Sequence, residues 1–169
     1  MLRFPADCSN AYTELRKTMF EILMYLFESY IDAGSYPAPD KLSRKLSAAG
    51  FEGEDIDEAL TWLSALRAQN ADSYPAILDH SGMRFFAELE FSRLSAEARQ
   101  FLLFAEQQAM ISAVEREIII DRALALQQKD LSLEKLKLIM LIVLWDRHQD
   151  LSPLLIEELL VPIHSTQLH

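Results

Sequence analysis

The segment EREIIIDR, Glu115 to Arg122, holds the densest group of charged residues that could do chemistry. Glu117 and Asp121 are four residues apart, so a helix would place both carboxylates on one face. Arg116 and Arg122 flank this pair. Two carboxylates on one face can serve acid–base catalysis or contribute ligands to a metal ion. Divalent ions usually need more ligands than two, however, and we favour a solvated network of salt bridges.

No other set of residues has the types and spacing of a catalytic or cofactor site. His80, His148, His164 and His169 fall in predicted turns or near the C-terminus, without metal-ligand spacing. Cys8 is the single cysteine, which excludes an intrachain disulfide and fits a reducing compartment. The four glycines form no phosphate-binding loop. We therefore expect a protein that is not an enzyme and that holds no metal and no cofactor.

The chain is strongly acidic, with 16 lysines and arginines against 26 aspartates and glutamates and a net charge of −10. Such a charge disfavours attraction to nucleic acid phosphates and to anionic membranes. The N-terminal segment lacks the continuous apolar stretch of a signal peptide. The longest apolar run, Leu138 to Trp145, is shorter than the roughly 20 residues that cross a bilayer. These features predict a cytoplasmic protein without a membrane segment.

Apolar residues at helical spacing predict three helices in the first half of the chain. The stretch MFEILMYLFESYI is apolar on most sides and predicts the first helix. Asp40 is placed to cap the second helix, and Gly50 suits a left-handed C-terminal cap, after which Phe51 enters the core. The third helix is predicted over about residues 54–67.

The segment YPAILDHSGMRFFA, residues 74–87, has two short β-prone runs around DHSG, which predict a β-hairpin. Three helices followed by a hairpin are the order of a winged helix-turn-helix, whose third helix enters the DNA major groove. The stretch from Phe51 to Leu66, which includes most of the predicted third helix, has no lysine or arginine and five acids: Glu52, Glu54, Asp55, Asp57 and Glu58. Phosphates would repel these carboxylates, so we expect a winged-helix-like unit that packs or binds protein rather than DNA.

Helix caps organise the second half. Ser95, Ser132 and Ser152 each precede an apolar helical pattern, and Ser112 with Glu115 has the spacing of a capping box. The predicted fold is therefore all-α: a winged-helix-like unit over residues 19–87 with a short β-hairpin, followed by a helical bundle over residues 88–169.

Several motifs together resemble the bacterial Smg family: MFEILMYLFESYI, AAGFEGEDIDEALTWL, FLLFAEQ, EREIIIDRALAL, LEKLKLIMLIVL and the terminal LH. Their order matches over nearly all of residues 19–169, although Leu138 stands where the family usually has tryptophan. The family's chains usually begin at the methionine that is Met19 here, which favours reading residues 1–18 as an extension from a misassigned start. The resemblance implies small cytosolic proteins without an established activity, and it assigns no catalytic residues.

The preferred function is a non-enzymatic adaptor or regulator that binds an unidentified partner protein. The candidate partner-binding residues are charged side chains of the predicted third helix and of the EREIIIDR segment: Glu54, Asp55, Glu58, Arg116, Glu117, Asp121 and Arg122. The alternative is a nucleic-acid-associated regulator, in which Arg84, Arg93 and Arg99 contact phosphate.

Overall fold

A computed structural model describes residues 8–34, 36–69, 74, 84–148 and 150–166 of the chain. Eight helices lie in these ranges, and no strand does. In chain order they are α1 (Cys8–Tyr30), α2 (Pro39–Ala48), α3 (Gly53–Ala68), α4 (Glu88–Arg93), α5 (Ala96–Gln107), α6 (Ala113–Ala125), α7 (Leu133–Arg147) and α8 (Pro153–Thr166). The expected all-α class is confirmed. None of the helices described combines the length and hydropathy that a bilayer crossing requires.

The chain divides into two compact units, Met1–Leu63 and Ser64–His169. The boundary falls inside α3, whose last turn belongs to the second unit. The division predicted from the sequence at residues 87 and 88 stays a prediction.

In the first unit, α1 supplies most of the large buried side chains. Ile22, Leu23, Leu26 and Phe27 are buried, whereas Glu21 and Glu28 remain exposed. This is the apolar helix with an acidic stripe that the sequence pattern predicts. The helix nevertheless begins at Cys8, upstream of the apolar pattern that starts at Met19. On α3, Trp62 and Ile56 add to the core of this unit.

The N-terminus of α2 differs from the prediction. Ala38 is the N-cap and makes no side-chain cap hydrogen bond, so the assignment of Asp40 as the cap was wrong. Pro39 already fixes a helical φ at the first position, and its missing N–H needs no acceptor. The Asp40 carboxylate lies within the first turn, where it still favours the helix dipole.

The C-terminus of α2 confirms the predicted glycine cap. Gly50 has φ of +98°, and its N–H donates to the Ser47 carbonyl at 3.1 Å. The Phe51 N–H donates to the Leu46 carbonyl at 3.2 Å, which completes a Schellman motif. Phe51 is half-buried, with its ring edge-on to Tyr25 at a centroid distance of 5.8 Å, so its expected place in the core was only partly right.

In the second unit, α7 is the central helix. Every residue from Leu136 to Trp145 is buried, and α5, α6 and α8 all pack against α7. The predicted serine caps are confirmed: Ser95 accepts the Ala98 N–H at 3.1 Å, and Ser112 with Glu115 forms a complete capping box on α6. A buried lysine, Lys137, lies 4.6 Å from the Phe101 ring centroid, and its ammonium donates to the Glu158 carbonyl of α8 at 3.3 Å.

The predicted β-hairpin is not supported. Residues 84–87 are coil that leads directly into α4, and strands are absent from the ranges given above. Residues 75–83 lie outside the described part of the chain. One isolated parallel bridge joins Leu94 to Leu131. A helix begins after Ala87 because the side chain of Glu90 accepts the Ala87 N–H at 2.7 Å and supplies the first turn with an acceptor. The strands of a winged-helix-like unit are therefore not found among the residues that the structure describes.

Candidate protein-interaction site

Arg84 is the centre of a charged cluster that joins the coil before α4 to α6. Its Nε and Nη2 donate to the two Glu117 carboxylate oxygens at 2.7 and 2.9 Å. Its Nη1 and Nη2 donate to the two Glu90 oxygens at 2.8 and 2.7 Å. Two bidentate pairs satisfy the guanidinium and both carboxylates, which allows all three charges to be largely buried.

The cluster continues to α5 through Arg116. This buried guanidinium donates to Glu117 Oε1 at 2.8 Å and also forms an ion pair with Glu106. Opposite charges thus alternate along one chain of contacts, which we call the ion-pair network: Glu90, Arg84, Glu117, Arg116 and Glu106.

Pairing with arginine keeps the carboxylates of Glu90 and Glu117 ionised. Hydrogen bonds from Arg84 are the main reason that the pKa of Glu90 lies below its ordinary value. Burial acts to raise the pKa of Glu117, but hydrogen bonds from Arg84 and Arg116 outweigh it and the pKa is lowered. The same contacts raise the pKa of Arg84. Arg84, Glu90 and Glu117 therefore carry full charges at neutral pH.

The network also fixes the backbone that leads into α4. Arg84 Nη1 donates to the Phe85 carbonyl at 2.9 Å, and Glu90 holds the Ala87 N–H. Because Glu90 of α4 is buried against this network and α4 packs on α6, the short helix has a defined orientation.

Large apolar side chains remain exposed on this anchored segment. Phe85 is 82% exposed, Leu89 56% and Phe91 55%. We call these three side chains the α4 surface. Leu89 precedes the buried Glu90 and Phe91 follows it, so the two side chains lie on the two flanks of α4. A single exposed apolar residue is ordinary, but three within seven positions make this segment a candidate interaction site.

Two arginines border the α4 surface. The Arg99 guanidinium lies 4.1 Å from the Phe91 ring centroid, and its Nη1 donates to the Phe91 carbonyl at 3.1 Å and the Leu94 carbonyl at 2.5 Å. Arg93 Nη1 donates to the Gln127 carbonyl. Both arginines bond to carbonyls, and in the part of the chain that the structure describes neither forms an ion pair with a carboxylate.

Comparison with known proteins places the chain in a family. A family model described as "Protein of unknown function (DUF494)" matches residues 19–169. A Protein Smg homolog of Azoarcus sp. (strain BH72) is 50% identical over 143 residues, which cover 84% of this chain and 92% of the relative. The chain belongs to the Smg family. The resemblance seen in the sequence motifs is thereby confirmed.

Other Smg relatives match over their full length. The Protein Smg homolog of Bordetella pertussis is 42% identical over 156 residues, and that of Methylobacillus flagellatus is 38% identical over 151 residues. Each alignment covers 89% of this chain and 100% of the relative. No solved structure matches this Smg family member.

In this Smg family member, the acidic residues predicted on α3 have different surroundings. Glu54 and Glu58 are exposed, whereas Asp55 is 4% exposed and its Oδ1 has no hydrogen-bond partner among the residues described. Burial, followed by the negative charges of Glu52, Glu54 and Glu21, raises the pKa of Asp55. Direct contact with a partner stays a prediction for Glu54 and Glu58, and Asp55 faces the interior.

The residues predicted on α6 support neighbouring segments. Arg116 and Glu117 belong to the ion-pair network, which is largely buried and not solvated as expected. Asp121 is exposed and accepts the Tyr74 hydroxyl at 2.5 Å, while burial lowers the pKa of the adjacent Arg122. The shared helix face of Glu117 and Asp121 is thus used to hold Arg84 and Tyr74. Within the described ranges, no group of three or more acidic, histidine or cysteine side chains could hold a metal ion.

The sequence pattern missed the α4 surface. The run RFFAELEF was interpreted up to Ala87 as part of a β-hairpin, and the following residues were not assigned. One signal was available, since Glu90 follows Ala87 by three residues, which is the spacing of a helix start. The pairing of Arg84 with Glu117 had no such local signal, because the two residues are 33 positions apart.

Proposed function

We propose that this Smg family member is a non-enzymatic adaptor or regulator that binds another protein through the α4 surface. The carrying observation is that Phe85, Leu89 and Phe91 are exposed while the ion-pair network fixes the backbone beneath them. Aromatic and aliphatic anchors of this kind supply most of the energy in protein interfaces. A backbone that is already ordered loses little entropy on binding, which leaves more of that energy as affinity.

The free energy available from these side chains is substantial. Burying one phenylalanine or leucine that is otherwise exposed contributes about 1.5–3 kcal/mol. The exposed fractions of Phe85, Leu89 and Phe91 mean that about half or more of this contribution is still unused in the free chain. A partner that covers the α4 surface would gain it.

The exposed acids on α3 form a second, weaker candidate surface. Helices α1 to α3 keep the order of a helix-turn-helix unit, and Glu54 and Glu58 are exposed at the start of the third helix. Their charge favours contact with a basic protein segment over contact with DNA. A cytoplasmic location belongs to the same proposal and rests on the single cysteine and the acidic composition.

A nucleic-acid-associated regulator is the alternative, and the contacts of its three arginines weigh against it. Arg84 is neutralised by two carboxylates in the ion-pair network. Only Arg93 and Arg99 of the three then remain to contact phosphate, which is few for an affinity that rests on many phosphate contacts. The net charge of −10 adds long-range repulsion of a polyanion.

Photo-crosslinking in the native cell tests the proposal directly. A benzophenone-bearing phenylalanine analogue replaces Phe85, and in a matched control it replaces Leu154, which is 79% exposed on α8. We expect a discrete protein adduct from position 85 that Leu89→Ala weakens in the same chain. Absence of a position-specific adduct, or the same adducts from position 154, would contradict a partner site on α4.

A further inference from the structure

We propose that the partner segment covering the α4 surface is acidic: apolar side chains that contact Phe85, Leu89 and Phe91 are flanked by carboxylates that pair with Arg93 and Arg99. This inference rests on the proposed function and names the chemistry of the partner. Its basis is the difference between the paired and the unpaired arginines around α4.

Arg99 shows why a covering partner needs a negative charge. Its guanidinium stacks on Phe91 at 4.1 Å, so any partner that buries Phe91 also removes water from Arg99. The carbonyls of Phe91 and Leu94 accept hydrogen bonds from Nη1 but do not neutralise the positive charge. The N–H groups of Nε and Nη2 are not used in these two bonds and can donate to a partner. A desolvated guanidinium without a counter-charge opposes binding. A carboxylate on the partner removes this penalty and adds a charge-assisted hydrogen bond.

Arg93 places a second positive charge at the end of α4. It is the last residue of the helix, and its bond to the Gln127 carbonyl holds the side chain beside the loop after α6. By contrast, Arg84 and Arg116 beneath the same surface are each paired with two carboxylates. Among the described arginines around α4, Arg93 and Arg99 have no carboxylate partner, and both border the exposed apolar side chains.

The surroundings favour a peptide carboxylate over a nucleic acid phosphate. Glu88 at the start of α4 and Glu97 at the start of α5 are exposed near the same segment, and the whole chain is acidic. A polyanion meets this repulsion along its length, whereas a peptide with one or two carboxylates does not.

The test uses a random peptide library displayed on phage and selected on the full chain. Enriched peptides are synthesised, and their dissociation constants are measured by fluorescence anisotropy at physiological salt. We expect enriched sequences that combine Phe, Leu or Trp with neighbouring Asp or Glu, and binding that falls about tenfold or more with Phe85→Ala or Leu89→Ala. The matched control Leu154→Ala should bind like the natural chain, because Leu154 is exposed on a different helix.

Changes on the peptide isolate the charge without any risk to the fold. Replacing the peptide's Glu by Gln should weaken binding to the natural chain by about tenfold. The same replacement should weaken binding to the Arg99→Gln variant by much less, because that variant has no guanidinium at position 99 to pair with the peptide's carboxylate. Peptides that require Phe85 and Leu89 but are neutral or basic would overturn the acidic partner and leave the proposed function standing. Failure to enrich any peptide that depends on Phe85 or Leu89 would overturn both. If single-stranded oligonucleotides displace a bound peptide at physiological salt, the proposal of an acidic peptide partner is overturned in favour of a nucleic acid.

Discussion

At the scale of single residues, Arg84 is the side chain on which the candidate site depends most. Arg84→Ala would leave Glu90 largely buried without its counter-charge, and Glu117 with only that of Arg116. Removing one partner of a buried ion pair costs about 3–5 kcal/mol, and we expect a loss of this size in the free energy of unfolding measured with urea. Arg44→Ala, an identical change at an exposed position of α2, should cost less than about 0.5 kcal/mol. Equal losses for both variants would show that the network contributes no special stability.

The pKa of Asp55 is raised, whereas the pKa values of Glu90 and Glu117 are lowered. Because burial raises its pKa in the folded chain, the folded state binds a proton more tightly than the unfolded state does. The stability it contributes is complete below the unfolded pKa of about 4 and is lost as pH rises through the folded pKa. Asparagine does not titrate, so the free energy of unfolding of Asp55→Asn minus that of the natural chain should increase with pH above about 4. A constant difference between about pH 3 and 8, measured with urea, would contradict the raised pKa.

At the scale of secondary-structure elements, α4 is too short to be stable alone. Six residues form little more than one turn, and an isolated helix of that length does not persist in water. Its start is held by the Glu90 carboxylate, which binds the Ala87 N–H and Arg84. Hydrogen bonds to charged groups contribute about 1.5–3 kcal/mol, so Glu90→Gln should speed amide exchange at Phe91 and Leu94 by roughly tenfold or more. Glu88→Gln, on the exposed side of the same helix, is the control and should leave those rates nearly unchanged.

The helices that could be predicted from the sequence are those whose ends are satisfied locally. Ser95 bonds to the Ala98 N–H and Ser112 bonds to the Glu115 N–H, each three residues away, so the pattern is visible in a short window. The helix α4 could not be predicted in the same way, since its anchor joins Arg84 to Glu117 across 33 positions. Asp55 shows the same limit for the site, because a periodic pattern of acids does not reveal which carboxylate faces the interior.

At the scale of the whole molecule, buried carboxylates with lowered pKa values make stability depend on acid pH. The pKa of Glu115 is lowered as well: burial acts to raise it, but the Ser112 N–H and His148 outweigh burial. Stability from Glu90, Glu115 and Glu117 is complete above the ordinary glutamate pKa of about 4.3 and is lost as pH falls through their lowered folded values. The stability that depends on Asp55 changes with pH in the opposite direction. The contribution of Glu90 and Glu117 is therefore measured as the difference in the free energy of unfolding between the natural chain and a variant.

The double variant Glu90→Gln with Glu117→Gln isolates the contribution of the carboxylates that pair with Arg84, because neither position then titrates. We expect the natural chain to be more stable than this variant at pH 7, since Arg84 loses both counter-charges. The gap in the free energy of unfolding should narrow as pH falls below about 4, where the natural carboxylates also become neutral and Arg84 is left equally unpaired. Leu154→Ala removes no titrating group, so its pH profile should run parallel to that of the natural chain. A gap that stays constant down to about pH 2 would mean that the folded chain does not hold these two glutamates in their charged form through Arg84.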